Sequence, residues 1–310
     1  MLKYIIQIAF GIAILVLLIL KTTENIENLR SIKLDLFLFL LSIIAYTALN
    51  LILSFRIAFL LDKMGAKAKY TKVFISHLGG MIVGDVTPGR SGYLLTAKIL
   101  DKFTGCGTKK SLAAIVAPQG IEFVLKAVGA LVAIVYLITK VSLSAEFYYA
   151  FILAISIVFC GGAAFLILSW SKEERSKNLM EKIPYIKNFS GLLVEFKESS
   201  IKIRKYLFQI IVLYIIGWLV SGLQWYFIGK AVGINLSFID FFLLHPLIST
   251  LTFIPITPAG LGLMESGSVL VFYLLSIEPS TAIVFSVLAR LSNIIGDTPG
   301  LLVFIKKLVD

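Results

Sequence analysis

Long apolar runs alternate with short charged stretches along this chain, and their lengths predict its elements. Runs long enough to cross a bilayer as a helix, about 17–25 residues at 1.5 Å rise, fall at Tyr4–Leu20, Leu36–Leu61, Leu112–Ile138, Phe147–Ser169, Tyr206–Ile228 and Thr281–Ile305. Two further apolar stretches are broken by Pro and Gly. Val73–Val86 and Ser91–Leu100 flank Thr87-Pro88-Gly89-Arg90, while Phe238–Ile256 and Leu261–Ile277 flank Thr257-Pro258-Ala259-Gly260. The limbs of the first are too short for two crossings, so it reads as a hairpin that enters and leaves on one side. The second is either re-entrant or a pair of true spans. The fold class predicted is all-α: a polytopic integral membrane protein with about 6 full spans and two Pro/Gly-broken hairpins.

Composition sharpens this reading. Of 310 residues, 58% are apolar and 15% charged, against about 45–50% and about 25% in soluble domains; a water-soluble fold has nowhere to bury that much hydrocarbon. Lys3 followed by an apolar run could open a secretory signal, but no small-x-small site follows Leu20, so the expectation is an uncleaved first span. Cys106 and Cys160 are too few and too far apart for a disulfide framework or a metal site, and neither a metal nor a cofactor is expected.

The net charge of +11 would suggest nucleic acid in a soluble protein. Here the cations are first sorted by side of the membrane. Chain parity puts the N-terminus, residues 62–72, residues 98–110, the 170–205 loop and the C-terminus on one side, with twenty of the 29 Lys and Arg; five lie on the other. The positive-inside rule then makes both termini and the 170–205 loop cytoplasmic, in a cell-membrane protein with no nucleic-acid partner. That loop, basic with scattered apolar residues such as Ile183 and Phe189, is expected to lie along an anionic membrane surface.

A repeat runs through the chain. The spacings of Gly65, Tyr70, Phe74 and His77 recur 168 residues later at Gly233, Phe238, Phe242 and His245, and Thr87-Pro88 with Gly92 recurs as Thr257-Pro258 with Gly262. Each unit is a span, a broken hairpin and a span. A single transmembrane domain, 1–310, thus divides into a first span and outer loop (1–35), repeat one (36–138), a connecting span and basic loop (139–205) and repeat two (206–310). The single crossing between the units makes the repeats inverted, an arrangement shared by many secondary transporters.

Charged residues inside such a chain each cost about 2.5–3.5 kcal/mol on insertion scales, yet Asp85, Arg90, Glu122, Lys126, Glu265, Arg290 and Asp297 all fall in or beside apolar segments. They predict a polar interior. Glu122 and Lys126, four apart, suit a neutralising pair, as do Asp85 and Arg90 across the turn. Under the 168-residue shift Arg290 aligns with Glu122, and the two serve either as an ion pair between the units or as ligand contacts. Arg90 follows a break where backbone N–H groups are expected to open a short helix, a combination suited to phosphate. Gln119 and Asn293 are candidates for the same cavity. Each histidine is either a proton carrier or polar packing, and Gly80 and Gly84 form a close-packing GxxxG that permits a homodimer.

At Thr87-Pro88-Gly89-Arg90-Ser91-Gly92 and Pro258-Ala259-Gly260-Leu261-Gly262-Leu263-Met264-Glu265 the sequence resembles the lysylphosphatidylglycerol synthase transmembrane, flippase-like family. That family's pattern looks like T-P-G-R-x-G-E in the first half and P-x-G-G-x-G-x-x-E in the second, with an acidic residue after the first hairpin, here Glu122, and an arginine in the last span, here Arg290. Tyr93 stands where the pattern has Glu, and Ala259 where it has Gly. No aminoacyl-transferase domain precedes Asp310. The resemblance implies lipid translocation without synthase chemistry.

The expected function is therefore a translocase moving a phospholipid or polyprenyl-phosphate-linked lipid between leaflets by alternating access of the two halves. Its partners are membrane lipids with phosphate head groups. The expected substrate-binding residues are Arg90, Arg290, Glu122, Glu265, Asp85, Thr87, Gly89, Thr257 and Gly260. No catalytic motif is present, so an enzyme is not expected. The alternatives are a membrane-embedded lipid-phosphate transferase using Asp85, Glu122 or His77 as base, or a small-solute or ion carrier or partner subunit.

Overall fold

The computed structural model describes residues 32–141, 145–170, 199–254 and 256–305, with positions 12 and 16. The expected first span and most of the 170–205 loop lie outside these residues. The described chain is helical: α1 Leu36–Lys63, α2 Tyr70–Asp85, α3 Thr96–Thr104, α4 Thr108–Val116, α5 Gln119–Lys140, α6 Ala145–Trp170, α7 Leu207–Ala231, α8 Phe238–Ser249, α9 Leu263–Leu274 and α10 Pro279–Asp297. Short 3₁₀ turns lie at Ser91–Leu95, Thr250–Phe253 and Thr298–Phe304. Among the described residues no strand forms. The one bridge pairs Pro88 with Pro258.

Among the described residues, four stretches are long and apolar enough to cross a membrane: Leu36–Lys63, Thr108–Lys140, Ser199–Ala231 and Pro279–Phe304. Their outer faces carry exposed Phe37, Ile44, Phe55, Val135, Phe208 and Ile216, while Asn50, Arg56, His77, Gln224, Glu265 and Asp297 are buried. A soluble protein distributes these classes the other way round. With apolar side chains outward and every helix satisfying its own backbone, the chain is a multi-pass membrane protein.

Two expected spans are revised. The run expected at Leu112–Ile138 starts earlier, at Thr108, and is divided at Ala117-Pro118 into α4 and α5, because Pro118 has no N–H to continue the ladder. The last span is α-helical only to Asp297; Thr298-Pro299-Gly300 then tightens it into a 3₁₀ turn. This closing turn packs against α2. A Cβ on Gly300 would meet the Leu78 carbonyl carbon at 2.4 Å, so only glycine lets the two backbones touch.

Two apolar cores lie at opposite ends of the helices. One holds Phe39 of α1, Ala127–Leu137 of α5, the C-terminal end of α7 and Phe241, Phe272 and Phe285; the other holds Ile57–Met64 of α1, Val73, Ala97, Leu100, Ala113–Ala117, Ile203 and Ile210. Thus α1 and α7 run antiparallel, and the Asp35 N–H donates to the Ala231 carbonyl at 2.9 Å where one begins and the other ends. Lys63, Lys67, Lys69, Lys72, Lys98, Lys102, Lys109, Lys110, Lys202, Arg204 and Lys205 gather at the second core's end, against Lys33, Lys140 and Lys230 at the first. In that basic region Asp101 closes a turn, accepting from the Thr108 hydroxyl at 2.5 Å and the Gly107 N–H at 2.8 Å. The Thr108 bond, ahead of the backbone ones, holds its carboxyl below the usual carboxylate range.

Two pairs of element bounds keep the 168-residue spacing. Helices α1 and α7 end at Lys63 and Ala231, and α2 and α8 begin at Tyr70 and Phe238, each pair 168 apart. Close packing recurs through glycines. The Gly80 and Gly84 face is filled from within the chain, Gly80 by Thr96 and Gly84 by Tyr93.

Candidate functional site

Between the two cores the helices turn polar, and the two hairpin tips meet there. Beyond the Pro88–Pro258 bridge, the Ala259 N–H donates to the Thr87 carbonyl at 3.1 Å. Both tips need left-handed backbone: Gly89 and Arg90 have φ of 57° and 56°, Ala259 and Gly260 of 41° and 67°. For Arg90 and Ala259 that conformation costs about 1–2 kcal/mol each, strain held in place by the surrounding contacts.

The first tip is braced from inside, whereas the buried Thr257 hydroxyl of the second has no partner among the described residues. The Thr87 hydroxyl accepts from the Gly92 N–H at 2.7 Å and donates back toward the Val83 and Gly84 carbonyls at 3.1 and 3.0 Å. Thr87→Val leaves a buried N–H without a partner and is expected to cost about 1–3 kcal/mol. Thr87→Ser, measured beside it by thermal unfolding in detergent, is expected to stay near wild type.

A cavity enclosing about 1210 Å³ of atom-free space, its open mouth included, lies beside the tips. Asp85 and Arg90 reach it from the first tip, Glu122 and Lys126 from α5, and Arg290 and Asn293 from α10; Trp218, Trp225 and His245 complete an aromatic side. Its level on α1, from Tyr46 to Leu53, is the middle of a 28-residue helix that is long and apolar enough to cross a membrane.

Three interior ion pairs form among the described residues. Arg90 Nη2 lies 2.6 Å from Asp85 Oδ1, Lys126 Nζ 3.1 Å from Glu122 Oε1, and Arg290 Nε 2.8 Å from Glu265 Oε1. Glu265 is 1% exposed and also accepts from the Gly262 N–H at 2.7 Å. The pair between Glu122 and Arg290 considered from the repeat does not form: helix rotation hands Glu122 to Lys126 on its own face and Arg290 to Glu265 on α9. Asp85, Arg90, Glu122, Lys126 and Arg290 line the cavity, and Arg56, Glu265 and Asp297 are buried without lining it.

The arginines are not used up. Arg90 Nε and Arg290 Nη2 are buried and have no hydrogen-bond partner among the described residues. Arg56 is 1% exposed, its guanidinium 4.4 Å from the Tyr214 ring centroid, with Nε and Nη1 likewise unpartnered. By contrast, the backbone donors expected at the first tip are taken. The N–H groups of Arg90, Ser91, Gly92 and Tyr93 bond to Thr87 O, Pro88 O, Thr87 Oγ1 and Arg90 O, because the turn coils into 3₁₀ structure. Guanidinium groups are therefore the donors that the arginine-bearing wall has left over.

Of the expected site residues, Asp85, Arg90, Glu122 and Arg290 line the cavity, and Glu265 stands behind Arg290. Thr87, Gly89, Thr257 and Gly260 shape the tips and are not among its lining residues. Asn293 lines it and Gln119 does not. Gln224 Nε2 donates to Ser292 Oγ at 2.7 Å and Asn293 Oδ1 at 2.8 Å, joining α7 to α10.

One interior group escaped sequence reasoning, Arg56, whose signal was a single charge in a long apolar run. Asp297 was expected inside, but its partners Tyr46 and Asn50, some 250 residues away, were not. Tyr93, in the position where the resemblance has Glu, turns its hydroxyl to His77 Nδ1 at 2.7 Å.

A family model, the lysylphosphatidylglycerol synthase TM region, matches residues 4–298. Nothing among curated proteins and nothing among solved structures matches the chain.

Proposed function

The chain belongs to the lysylphosphatidylglycerol synthase TM-region family, and on that premise we propose that it is a lipid translocase moving a phosphate-bearing lipid, a phospholipid or a polyprenyl-phosphate-linked lipid, between leaflets. One observation carries this reading: Arg90 and Arg290, one from each repeat unit, face a single cavity at mid-helix level, and each keeps a buried N–H without a partner. A phosphate offers several acceptor oxygens and suits two guanidinium forks. Asp85 and Glu265 hold the forks in position while the site is empty, which lowers the cost of burying them. The apolar tail stays in the bilayer against the apolar outer faces of α1, α5 and α7.

The two units act as inverted halves, with the hairpins re-entrant from opposite sides and their tips meeting at the Pro88–Pro258 bridge. Rocking of one half against the other exposes the cavity to each leaflet in turn. The protein sits in the cell membrane with both termini and the 170–205 loop on the cytoplasmic side, in keeping with the basic end formed by residues 62–72, 98–110 and 199–205. It acts on lipids, not nucleic acid, and without catalysing a reaction. The candidate bases support that last point, since Asp85 is engaged with Arg90, Glu122 with Lys126, and both ring nitrogens of His77 with Tyr93 and Asn50.

Purified protein in liposomes containing fluorescent phosphatidylglycerol or a fluorescent polyprenyl phosphate tests the reading. Wild type is expected to speed exchange between leaflets. Arg90→Gln is expected to slow it about 10- to 100-fold, the equivalent of the roughly 1.5–3 kcal/mol that a hydrogen bond to a charged group is worth. A wild-type protein that moves neither probe, or an Arg90→Gln variant as fast as wild type, overturns it.

A further inference from the structure

A chain of hydrogen bonds runs from Tyr93 through His77 and Asn50 to Asp297. Tyr93 Oη lies 2.7 Å from His77 Nδ1, His77 Nε2 lies 3.2 Å from Asn50 Oδ1, and Asn50 Nδ2 donates to Asp297 Oδ1 at 3.0 Å. The Tyr46 hydroxyl donates to the other carboxylate oxygen at 2.8 Å. The carbonyl oxygen of Asn50 can only accept, so His77 carries its proton on Nε2 and takes one from Tyr93 on Nδ1. Every donor in the chain therefore points toward Asp297.

Asp297 is 1% exposed, and among the described residues no Lys or Arg lies within 4 Å of its carboxylate. The titratable and charged groups facing it and its chain come from every element packed around it. They are Tyr46 and Arg56 on α1, His77 and Asp85 on α2, Arg90 and Tyr93 at the first tip and its return, and, farther along α10, Arg290 with Glu265 of α9. Burial, the like charge of Asp85 and the lack of a cation of its own make this carboxylate a place where a proton can bind, against the two donors that hold the ionised form.

A proton there does more than cancel charge. The carboxyl becomes a donor where Asn50 and Tyr46 already donate, so either the Tyr46 hydroxyl rotates or the Asn50 amide turns over. A turned Asn50 presents its NH₂ to the Nε2–H of His77; that ring must then carry its proton on Nδ1, and the Tyr93 hydroxyl must rotate to accept it. Protonation of α10, in repeat two, is thereby felt in α1, α2 and the return of the first tip, in repeat one. Tyr46 and Asn50 also line the cavity.

We propose that Asp297 is the coupling-ion site of the translocase, binding a proton that crosses in the same direction as the phosphate-bearing lipid. The inference rests on the translocase reading. A phosphate drawn to Arg90 brings negative charge close to Asp297 and favours its protonation, and by linkage the proton favours the phosphate. The proton enters from water on one side and leaves to water on the other.

The test uses full-length protein in vesicles holding fluorescent phosphatidylglycerol or fluorescent polyprenyl phosphate, with a pH step across the membrane and protein-free vesicles as control. With wild type the probe is expected to accumulate in the leaflet facing the alkaline side, by about tenfold per pH unit for one proton per lipid. Asp297→Asn is expected to end at equal leaflets, and Asp297→Glu, which still binds a proton, to restore part of the asymmetry. Infrared difference spectra of wild type across a pH titration, with no lipid probe, are expected to contain a protonated-carboxyl band that Asp297→Asn lacks. Even leaflets in wild type, an asymmetry that survives Asp297→Asn, or a titration without that band overturns the coupling site. Absence of any probe movement in wild type, gradient or none, overturns the translocase reading and the coupling with it.

Discussion

Arg290→Ala is expected to cost about 3–5 kcal/mol of stability, the range for stranding one member of a buried ion pair. The loss comes mainly from the partner left behind. Glu265 is 1% exposed, its Oε1 is held by Arg290 Nε at 2.8 Å, and its other oxygen binds the Gly262 N–H that opens α9. Without the guanidinium, a carboxylate remains in an apolar interior with one backbone donor, and the start of α9 beside the second tip is destabilised. The double variant Glu265→Gln with Arg290→Met is expected to recover most of the loss, because a neutral, well-packed pair carries no desolvation cost. Unfolding in mixed detergent micelles checks both. A single variant as stable as wild type, or a double variant no better than the single, contradicts the account. Loss of transport in Arg290→Ala is therefore not evidence of ligand contact by itself, and Arg90→Gln, whose acid partner is 19% exposed, is the cleaner probe of the proposed phosphate site.

Gly260→Ala is expected to cost about 3 kcal/mol and to abolish lipid movement. Its φ of 67° costs a non-glycine residue about 1–2 kcal/mol. The remainder comes from a Cβ that would lie 2.7 Å from Thr252 Cα and 2.9 Å from the Leu251 carbonyl oxygen. Both are backbone atoms that no rotamer change removes, so the second tip must shift away from the first. The Ala259 N–H then loses the Thr87 carbonyl, and Pro258 its register with Pro88. Gly105 supplies the control: its φ is 68°, but nothing lies within 4 Å of the place a Cβ would take, so Gly105→Ala is expected to cost about 1 kcal/mol and to leave transport intact. Equal losses at the two glycines would mean that backbone strain alone, and not the meeting of the tips, accounts for the effect.

Much of the architecture is legible in one dimension. The run Leu36–Leu61 foretells α1 to within two residues of its end, and Thr87-Pro88-Gly89-Arg90 and Thr257-Pro258-Ala259-Gly260 mark the tips, since length, hydropathy and turn chemistry act over a few residues. Asp85 with Arg90 and Glu122 with Lys126 are legible too, because a five-residue turn and one helical turn fix each pair locally. The boundary at Pro118 is present in the letters as well, but an apolar run on both sides hides it.

Contacts that depend on the rotation and register of distant helices are not legible. The repeat aligns Arg290 with Glu122, yet α10 turns Arg290 to Glu265; the donors expected at the first tip are consumed because the turn coils on itself; and Asp297 meets Tyr46 and Asn50 only because α10 lies across α1. The order of residues suffices to say that the chain spans a membrane, where it breaks, and that charges lie inside. Which acid holds which base, and which arginine nitrogens are left without a partner, is settled by the packed helices alone, because insertion energies depend on one segment at a time whereas ion pairing depends on the mutual orientation of several.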